Sequence, residues 1–336
     1  MNILAIIPAR SGSKSVPHKN MRLLAGKPML AYSLEHAKQS KYINRIILDT
    51  DSEVYAEAGK GFGAEIPYLR PAELAGDTSL DIDVFYHCLS WLKEREGYIA
   101  DLVVQLRPTY PIRNIADIDK MIEILMENKE YDSARTIAPA KEIPYKMWHR
   151  SEAGRISPVI QDMGECYNMP RQELPKVYYQ NACIDVVRGS VILEKKSMTG
   201  TNIYGYLMEK NYDIDTEEEL AAAAAYLELR NGGKRLVVDI DGVIARLQPE
   251  NKYDAALPNE EFIRIINQLY DYGNEIVLFT ARGYVTGLDW GKTTEEQLIR
   301  WGVHYHSLHF GKPNADYYID DRMLGMEKLI DYFGII

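Results

Sequence analysis

The stretch NILAIIPARSGSKSVPHKN, residues 2–20, decides the fold class of this chain. Its first seven residues form a short apolar run, which is typical of a strand buried on both faces. A loop follows in which Gly12 and the serines around it let the backbone turn tightly and point N–H groups inward. Arg10, Lys14 and Lys19 add three cations within ten residues. Such a loop can cradle a polyphosphate, and a solvated basic loop is the plainer alternative.

Further apolar runs alternate with helical stretches beyond this loop. NRIILDT (44–50) and DLVVQLRP (101–108) are predicted strands. Helical spacing is seen in KPMLAYSLEHAKQS (27–40), SEVYAEAGKGFG (52–63) and SLDIDVFYHCLSWLKERE (79–96). This alternation predicts an α/β fold with parallel strands and helices on both faces. Ligands then bind beyond the carboxyl ends of the strands.

A domain boundary is predicted between residues 231 and 232. TEEELAAAAAYLELR (216–230) is a predicted helix with Thr216 as its N-cap, and Asn231-Gly232-Gly233 is a helix stop signal. The α/β pattern then starts again with RLVVDID (235–241), EEFIRIINQLYDYG (260–273), NEIVLFT (274–280), TTEEQLIRWG (293–302) and DYYIDD (316–321). We therefore expect domains at 1–231 and 232–336.

Composition narrows the class of protein. The chain has 336 residues, 46% of them hydrophobic, and a net charge of −10, which argues against non-specific nucleic-acid binding. No apolar run approaches a membrane span, and the N-terminus lacks the features of a signal peptide. The three cysteines are widely spaced, which argues against a disulfide framework or a Cys-based zinc site and favours the cytoplasm.

A series of motifs in the first domain is more specific than the loop alone. In order they are PARSGSK (8–14), Lys19-Asn20, LAGKPML (24–30), LDTDSE (48–53), YLRPAELAGDTS (68–79), RPTYPIR (107–113), PRQELPKVYYQNA (170–182) and YDIDTEEEL (212–220). The set resembles the CMP-sialic acid synthetases, the acylneuraminate cytidylyltransferases, over roughly residues 1–228. This resemblance implies a Rossmann-like nucleotidyltransferase domain with a mostly parallel sheet.

The resemblance also implies a role for each matching residue. Residues Arg10, Ser13, Lys14, Lys19 and Asn20 would hold the phosphates and cytosine of CTP, Arg70 and Ser79 would contact the nucleotide, and Lys19 would take part in catalysis. Arg107, Lys146, Arg171 and Asn181 would lie at the acidic sugar, and Asp213 and Asp215 would bind Mg²⁺. An anomeric hydroxyl of the sugar acid would attack the α-phosphorus of CTP and release pyrophosphate. The sequence offers no obvious side-chain general base.

Independent physical arguments support two of these roles. Asp213 and Asp215 are two residues apart, so in an extended segment both carboxylates face one side, as a magnesium site needs. The alternative is that they cap the following helix. For Arg171, a guanidinium suits a sugar carboxylate better than a lysine does, and a surface salt bridge is the alternative.

Three departures from the family pattern lie in or near the expected sugar pocket. The family commonly has Gln-Pro-Thr-Ser-Pro where this chain has RPTYP, which begins with Arg107. It commonly has Asn-Gly-Ala where this chain has Asn181-Ala182-Cys183. A tyrosine is expected where this chain has Asp185. The reaction class is unaffected, whereas the sugar stays open among neuraminate, legionaminate, pseudaminate and a deaminated nonulosonate.

The second domain carries a different set of motifs. RLVVDIDG, LFTAR, FGKP and DYYIDDR occur in order, and they resemble the haloacid dehalogenase-like phosphatases over about residues 234–336. The resemblance implies a small Rossmannoid domain in which Asp239 is the nucleophile and Asp241 the general acid and base. Thr280 and Lys312 would hold the phosphoryl oxygens. Asp320, with Asp239 and the backbone at Asp241, would bind Mg²⁺, and Asp321 would assist.

These observations favour a bifunctional enzyme that dephosphorylates a sugar-acid phosphate and couples a sugar acid to CMP. CTP, a sugar acid and one or more Mg²⁺ ions in each domain are the expected ligands. The resemblance suggests a homodimer or homotetramer. One alternative is a cytidylyltransferase for a shorter keto acid or a phosphonate, with a second domain kept only for oligomerisation. Another is a nucleotide-sensing scaffold, which the intact aspartates argue against.

Overall fold

Strand β1 lies inside the larger of two compact units into which the chain divides. The computed structural model describes residues 1–12, 16–208, 213–246, 252–313, 315 and 323–333. The first unit comprises Met1–Leu23 and Lys27–Glu219, and the second comprises Leu24–Gly26 and Leu220–Ile336. No helix in these ranges has the length and apolar character needed to cross a membrane.

The elements follow one another as the alternating pattern predicts. The strands are β1 (Ile3–Pro8), β2 (Leu23–Leu24), β3 (Lys27–Pro28), β4 (Arg45–Asp49), β5 (Leu102–Leu106), β6 (Ser133–Pro139), β7 (Trp148–Arg150), β8 (Ile156–Pro158), β9 (Tyr178–Arg188), β10 (Ile203–Leu207), β11 (Arg235–Asp239), β12 (Glu275–Thr280) and β13 (Ser307–Phe310). The α-helices are α1 (Met29–Gln39), α2 (Glu53–Gly61), α3 (Asp81–Glu96), α4 (Ile115–Glu127), α5 (Gly189–Lys195), α6 (Glu217–Asn231), α7 (Glu260–Asp271), α8 (Gly291–Arg300) and α9 (Met326–Phe333).

The first unit is built on a six-stranded sheet in the order β10-β6-β9-β5-β1-β4. β1 pairs in parallel with β4 and β5, and β10 pairs in parallel with β6. Only β9 runs against its neighbours in this sheet, so the predicted mostly parallel sheet is confirmed. Two steps along β6, from Arg135 to Ile137, match five steps along β9, from Asp185 to Gln180, which marks a bulge in β9.

Alternate residues of β1 enter two separate hydrophobic cores. Ile3, Ala5 and Ile7 belong to the core that includes residues of α1 and α4. Leu4 and Ile6 belong to the core that includes residues of α3 and α5. Successive side chains of a strand point to opposite faces, so the continuous apolar run of β1 follows from helices covering both faces.

The division into units lies one helix earlier than the boundary expected at 231/232. Helix α6 begins as predicted, because the Thr216 hydroxyl accepts from Glu219 N (3.2 Å) and the Glu219 carboxylate accepts from Thr216 N (2.9 Å). It ends at Asn231, before Gly232 with φ 77°. The second unit holds most of this helix because the Asn274 amide donates to Leu229 O (2.7 Å) and the Tyr226 ring packs on Phe333.

The second unit contains a parallel sheet in the order β11-β12-β13. Helix α7 lies between β11 and β12 in the chain and buries Phe262 and Ile266, and α8 lies between β12 and β13. The predicted α/β alternation is therefore present from residue 235 to 310. The expected strand DYYIDD lies outside the described residues.

Substitution of Gly189, at the start of α5, would test how closely the first unit is packed at this position. A Cβ there would lie 2.1 Å from Ala100 O, which is backbone and cannot rotate away. We expect Gly189→Ala to cost at least about 2 kcal/mol of unfolding free energy. Gly61→Ala in α2 meets no atom within 4 Å and should instead gain about 0.5 kcal/mol. Urea unfolding of the two variants measures both; a Gly189→Ala variant as stable as the unmodified chain would contradict the packing described.

Candidate functional site

A cleft of about 570 Å³ lies beyond the carboxyl ends of β1 and β5 in the first unit. Six of the site residues expected from the sequence line it: Arg10, Lys19, Asn20, Arg70, Ser79 and Arg107. They come from loops that follow different strands, which the parallel sheet brings to one edge. Ser13 and Lys14 lie outside the described residues.

Arg70 is held at the cleft by a buried ion pair. Its Nε donates to the carboxylate of Asp49, the last residue of β4, and its Nη2 donates to Asp49 O (2.9 Å). The Tyr68 hydroxyl donates to the other carboxylate oxygen (2.6 Å), and burial raises the pKa of Tyr68. The side chains of Arg70 and Asp49 are 4% and 0% exposed, so the guanidinium has one fixed orientation.

Lys19 links the cleft to the two predicted magnesium ligands. Its Nζ donates to Ile214 O (2.8 Å) and to Asp215 Oδ1 (3.0 Å). Asp213 Oδ1 is buried without a hydrogen-bond partner, and burial, together with the charge of Asp215, raises the pKa of the Asp213 carboxyl against the opposing effect of the nearby Thr109 and Tyr110 hydroxyls. A buried carboxylate oxygen without a donor suits a hard cation such as Mg²⁺, whereas the Asp215 carboxylate is paired with Lys19 and would have to exchange that partner for the ion.

The remaining nucleotide candidates make local contacts at the cleft. Arg10 forms an ion pair with Asp77 (2.8 Å). The Asn20 amide donates to Arg10 O (3.1 Å), which fixes the start of the basic loop. The Ser79 hydroxyl donates to Glu73 O (3.3 Å). Arg10 is partly exposed, so it can exchange Asp77 for a ligand at little cost.

Arg107 and Asp185, two of the three departures from the family pattern, contact each other. Arg107 Nη1 donates to Asp185 Oδ2 (3.1 Å) and Ala182 O (3.0 Å), and its Nη2 donates to Asp81 Oδ2 (2.7 Å). Burial opposes the charge of Arg107, but the two aspartates outweigh it and raise its pKa. Arg135, which sequence reasoning missed, donates to the other oxygen of Asp185 (3.1 Å). The sequence does offer one indication of a role for Arg135, because it is a charged residue within the otherwise strand-like run SARTIAP (133–139).

Three expected sugar-binding residues are not among the residues that line this cleft. Lys146 donates to Tyr167 O (3.1 Å) and Met169 O (2.8 Å), and Arg171 donates to Ala140 O (3.0 Å) and Lys141 O (2.6 Å). Asn181 is buried, and its Oδ1 accepts from Cys183 N (3.3 Å). The surface salt bridge weighed for Arg171 is therefore replaced by contacts with backbone carbonyls.

A second cluster of predicted residues lies at the carboxyl edge of the second unit's sheet. Asp239 ends β11 and forms an ion pair with Lys312, which follows β13. Thr280 ends β12, and its hydroxyl lies 3.5 Å from Asp241 Oδ2. Arg282, which sequence reasoning missed although LFTAR contains it, donates to both oxygens of Asp241. Asp320 and Asp321 lie outside the described residues.

The cysteines do not contribute a reactive thiol to either cluster. Cys88, Cys166 and Cys183 are buried and free. Burial raises the pKa of Cys88 to about 12 and that of Cys183 to about 11. Both are therefore protonated near neutral pH, and a protonated thiol is a poor nucleophile.

Comparison with known proteins identifies the family. A cytidylyltransferase family model matches residues 4–151, a range that contains every residue lining the cleft. CMP-N,N'-diacetyllegionaminic acid synthase of Legionella pneumophila is 33% identical over 232 residues, which cover 68% of this chain and 97% of that protein. The chain belongs to the cytidylyltransferase family.

Three further proteins resemble this chain, at identities between 17% and 34%. Post-translational flagellin modification protein B of Campylobacter coli is 34% identical over 65% of this chain and 91% of that protein. N-acylneuraminate cytidylyltransferase of Escherichia coli is 27% identical over 80% of this chain and 62% of that protein. The structure of CMP:2-keto-3-deoxy-manno-octonic acid synthetase with CTP matches 68% of this chain and 98% of that chain with a TM-score of 0.51 and 17% identity. That match shows the shared fold.

The ion pair of Asp49 with Arg70 gives a test of the cleft of this cytidylyltransferase. Asp49→Asn removes the carboxylate and leaves a buried guanidinium without its counter-charge, so we expect a loss of about 3 kcal/mol of unfolding free energy. The exposed Asp162 serves as a control, and Asp162→Asn should change stability by less than about 0.5 kcal/mol. Denaturant unfolding compares the two. Equal stability of both variants would show that the buried pair does not hold Arg70.

Proposed function

We propose that the first unit transfers CMP from CTP to the anomeric hydroxyl of a nonulosonic acid and releases pyrophosphate. The observation that carries the proposal is the cleft in which Arg10, Lys19, Asn20 and Arg70 converge at the carboxyl edge of a cytidylyltransferase sheet. Three cations and an amide suit a triphosphate with its nucleoside. Relatives whose names specify legionaminic and N-acylneuraminic acids favour this class of acceptor.

The residues of the cleft would act by alignment and charge neutralisation. Arg70, fixed by Asp49, would present its guanidinium to the nucleotide in one orientation. Lys19 would neutralise charge that develops as the sugar hydroxyl bonds to the α-phosphorus and the bond to the β-phosphate oxygen breaks. Asp213 and Asp215 would hold Mg²⁺, which when bound supplies positive charge to the phosphate oxygens.

The pair Arg107–Asp185 bears on which sugar acid is used. Arg107 has three protein acceptors, namely Asp185, Ala182 O and Asp81. This supports a bracing role in the acceptor pocket more than direct recognition of an extra negative group. Because the pair replaces a glutamine and a tyrosine of the family pattern, the two positions would act as one unit in substrate choice.

We propose that the second unit is a magnesium-dependent phosphatase for a sugar-acid phosphate. Asp239, Thr280 and Lys312 stand at the ends of three adjacent parallel strands, and the Lys312 ammonium already contacts the Asp239 carboxylate. Asp239 would attack phosphorus, Asp241 would transfer the proton, and Thr280 and Lys312 would hold the phosphoryl oxygens. The carboxylate of Asp239, with Asp320, is the type of oxygen ligand that Mg²⁺ takes.

Cytidylyl transfer is tested by pyrophosphate release from CTP with a panel of sugar acids. We expect turnover with a nonulosonic acid and Mg²⁺, and loss of about 100-fold or more in Asp213→Asn and in Asp215→Asn, because one carboxylate holds the cation poorly. Glu94→Gln also removes one negative charge, at an exposed position of α3, and should keep full activity. Turnover only with an octulosonate or a phosphonate would favour the alternative acceptors, and normal rates in both aspartate variants would remove the metal assignment.

The two activities should be separable in one chain. Asp239→Asn removes the nucleophile with almost no change in shape, so phosphate release from a nonulosonate phosphate should fall by about 1000-fold or more. Pyrophosphate release by the same preparation should continue at the unmodified rate. If the unmodified chain hydrolyses no phosphate ester across a broad panel, the phosphatase proposal fails and the alternative of a non-catalytic second domain is favoured. Loss of both activities together would mean that the two units share a site or fold as one unit.

A further inference from the structure

Arg282, two residues after β12, is a fully enclosed cation beside the second cluster. Its side chain is 0% exposed. Nη2 donates to Asp241 Oδ1 (2.7 Å), and Nε donates to Asp241 Oδ2 (2.9 Å). This is a two-pronged contact with one carboxylate, which fixes the plane of the carboxylate as well as its distance.

The far side of the same guanidinium is anchored by helix α8. Nη1 donates to Thr294 Oγ1 (3.1 Å) and to Gln297 Oε1 (2.7 Å), and both residues are buried. The Gln297 amide in turn donates to Tyr253 O, and the Tyr253 ring lies 5.0 Å from the guanidinium carbon. Each guanidinium nitrogen of Arg282 therefore has a hydrogen-bond partner, and the Tyr253 ring lies against one face of the guanidinium plane. The group cannot rotate without breaking several of these contacts.

The two aspartates of the cluster are thus held by cations of different kinds. Asp239 contacts Lys312, whose ammonium is a point charge on a flexible stem. Asp241 contacts a planar guanidinium that is locked from behind. Arginine at this place gives a fixed geometry that a lysine cannot give, and a group that transfers a proton needs a fixed geometry more than a nucleophile's counter-ion does.

We propose that Arg282 is a positioning residue that aims the Asp241 carboxyl at the oxygen of the departing group. The proposal rests on the phosphatase function proposed above. Arg282 acts through Asp241 and does not itself touch the substrate. Thr294 and Gln297 on α8 hold Arg282 in place, so this helix indirectly fixes the position of Asp241.

The step concerned is the first one. A carboxylate oxygen of Asp239 forms a bond to phosphorus, the bond from phosphorus to the ester oxygen breaks, and its electron pair stays on that oxygen. Asp241 enters this step in its protonated form and gives that proton to the oxygen, so the alcohol leaves neutral and Asp241 becomes a carboxylate. In the second step water attacks phosphorus, Asp241 takes up a proton, and the bond from phosphorus to Asp239 breaks. Misalignment of Asp241 harms the first step most when the leaving oxygen is strongly basic.

The test measures kcat/KM of the full-length chain for p-nitrophenyl phosphate and for phenyl phosphate with Mg²⁺. The two esters have nearly the same shape, but phenolate needs the proton far more than p-nitrophenolate does. Arg282→Lys keeps the charge and loses the two-pronged contact. We expect it to lower kcat/KM for phenyl phosphate by about 10- to 100-fold and for the nitrophenyl ester by much less. Arg300→Lys, an exposed change on α8, is the matched control and should alter neither.

The possible results distinguish a failure of the positioning role of Arg282 from a failure of the phosphatase function. If the unmodified chain hydrolyses neither ester nor any member of the broad phosphate-ester panel, the phosphatase proposal fails and the role of Arg282 with it. If the unmodified chain is active and Arg282→Lys lowers both esters equally, or neither, the positioning role is wrong while the phosphatase stands. Gln297→Met leaves the contact with Asp241 and removes only its support, so it should show the same ester preference to a smaller extent. That variant decides the matter if Arg282→Lys does not fold.

Discussion

The first unit depends on the buried guanidinium of Arg113, which no carboxylate of the described part of the chain contacts. Arg113 donates to Ser33 Oγ (2.8 Å) on α1, to Cys183 O (3.1 Å) on β9 and to Arg107 O in the loop after β5. Burial lowers its pKa, so its charge is costly there and has to be offset by these oxygen acceptors. The carbonyls can satisfy it only while the helix, the strand and the loop keep their relative positions. The backbone of Arg107, which lines the cleft, is therefore held by a residue that is not itself among the residues lining the cleft.

The sequence was sufficient for those features that depend on local periodicity. Short Ile-, Leu- and Val-rich runs predict β1, β4 and β5, and the stop signal at Gly232 predicts the end of α6, because strand burial and helix termination are decided within a few residues. Parallel strands also bring their carboxyl ends to one edge, which is why the positions of Asp239 and Thr280 could be expected without knowing any contact.

The partners of long polar side chains could not be read in the same way. Arg107 meets Asp185 across 78 positions, and Arg282 meets Asp241 across 41. No local pattern encodes such a pairing, and a flexible cation has many carboxylates and carbonyls within reach. Arg171 illustrates the limit, since its chemistry suits a sugar carboxylate while its guanidinium is bound to two backbone carbonyls. Residue type predicts what a side chain can bind, and the fold selects which candidate lies within its reach.

The bulge in β9 has a consequence for how the acceptor side of the first unit can change. Residues five apart in a regular strand face opposite sides, yet Gln180 and Asp185 both contact Arg135, because three additional residues of β9 stand between their partners on β6. Three is an odd number, so the bulge reverses the in-and-out phase of the strand. Loss of one residue from the segment 181–183 would leave Gln180 and Asp185 four residues apart, a spacing at which regular alternation places both side chains on one face without a bulge. Loss of two residues would leave them three apart, and regular alternation would then turn one of the two away from Arg135, so the length of this segment decides whether both side chains reach the same guanidinium.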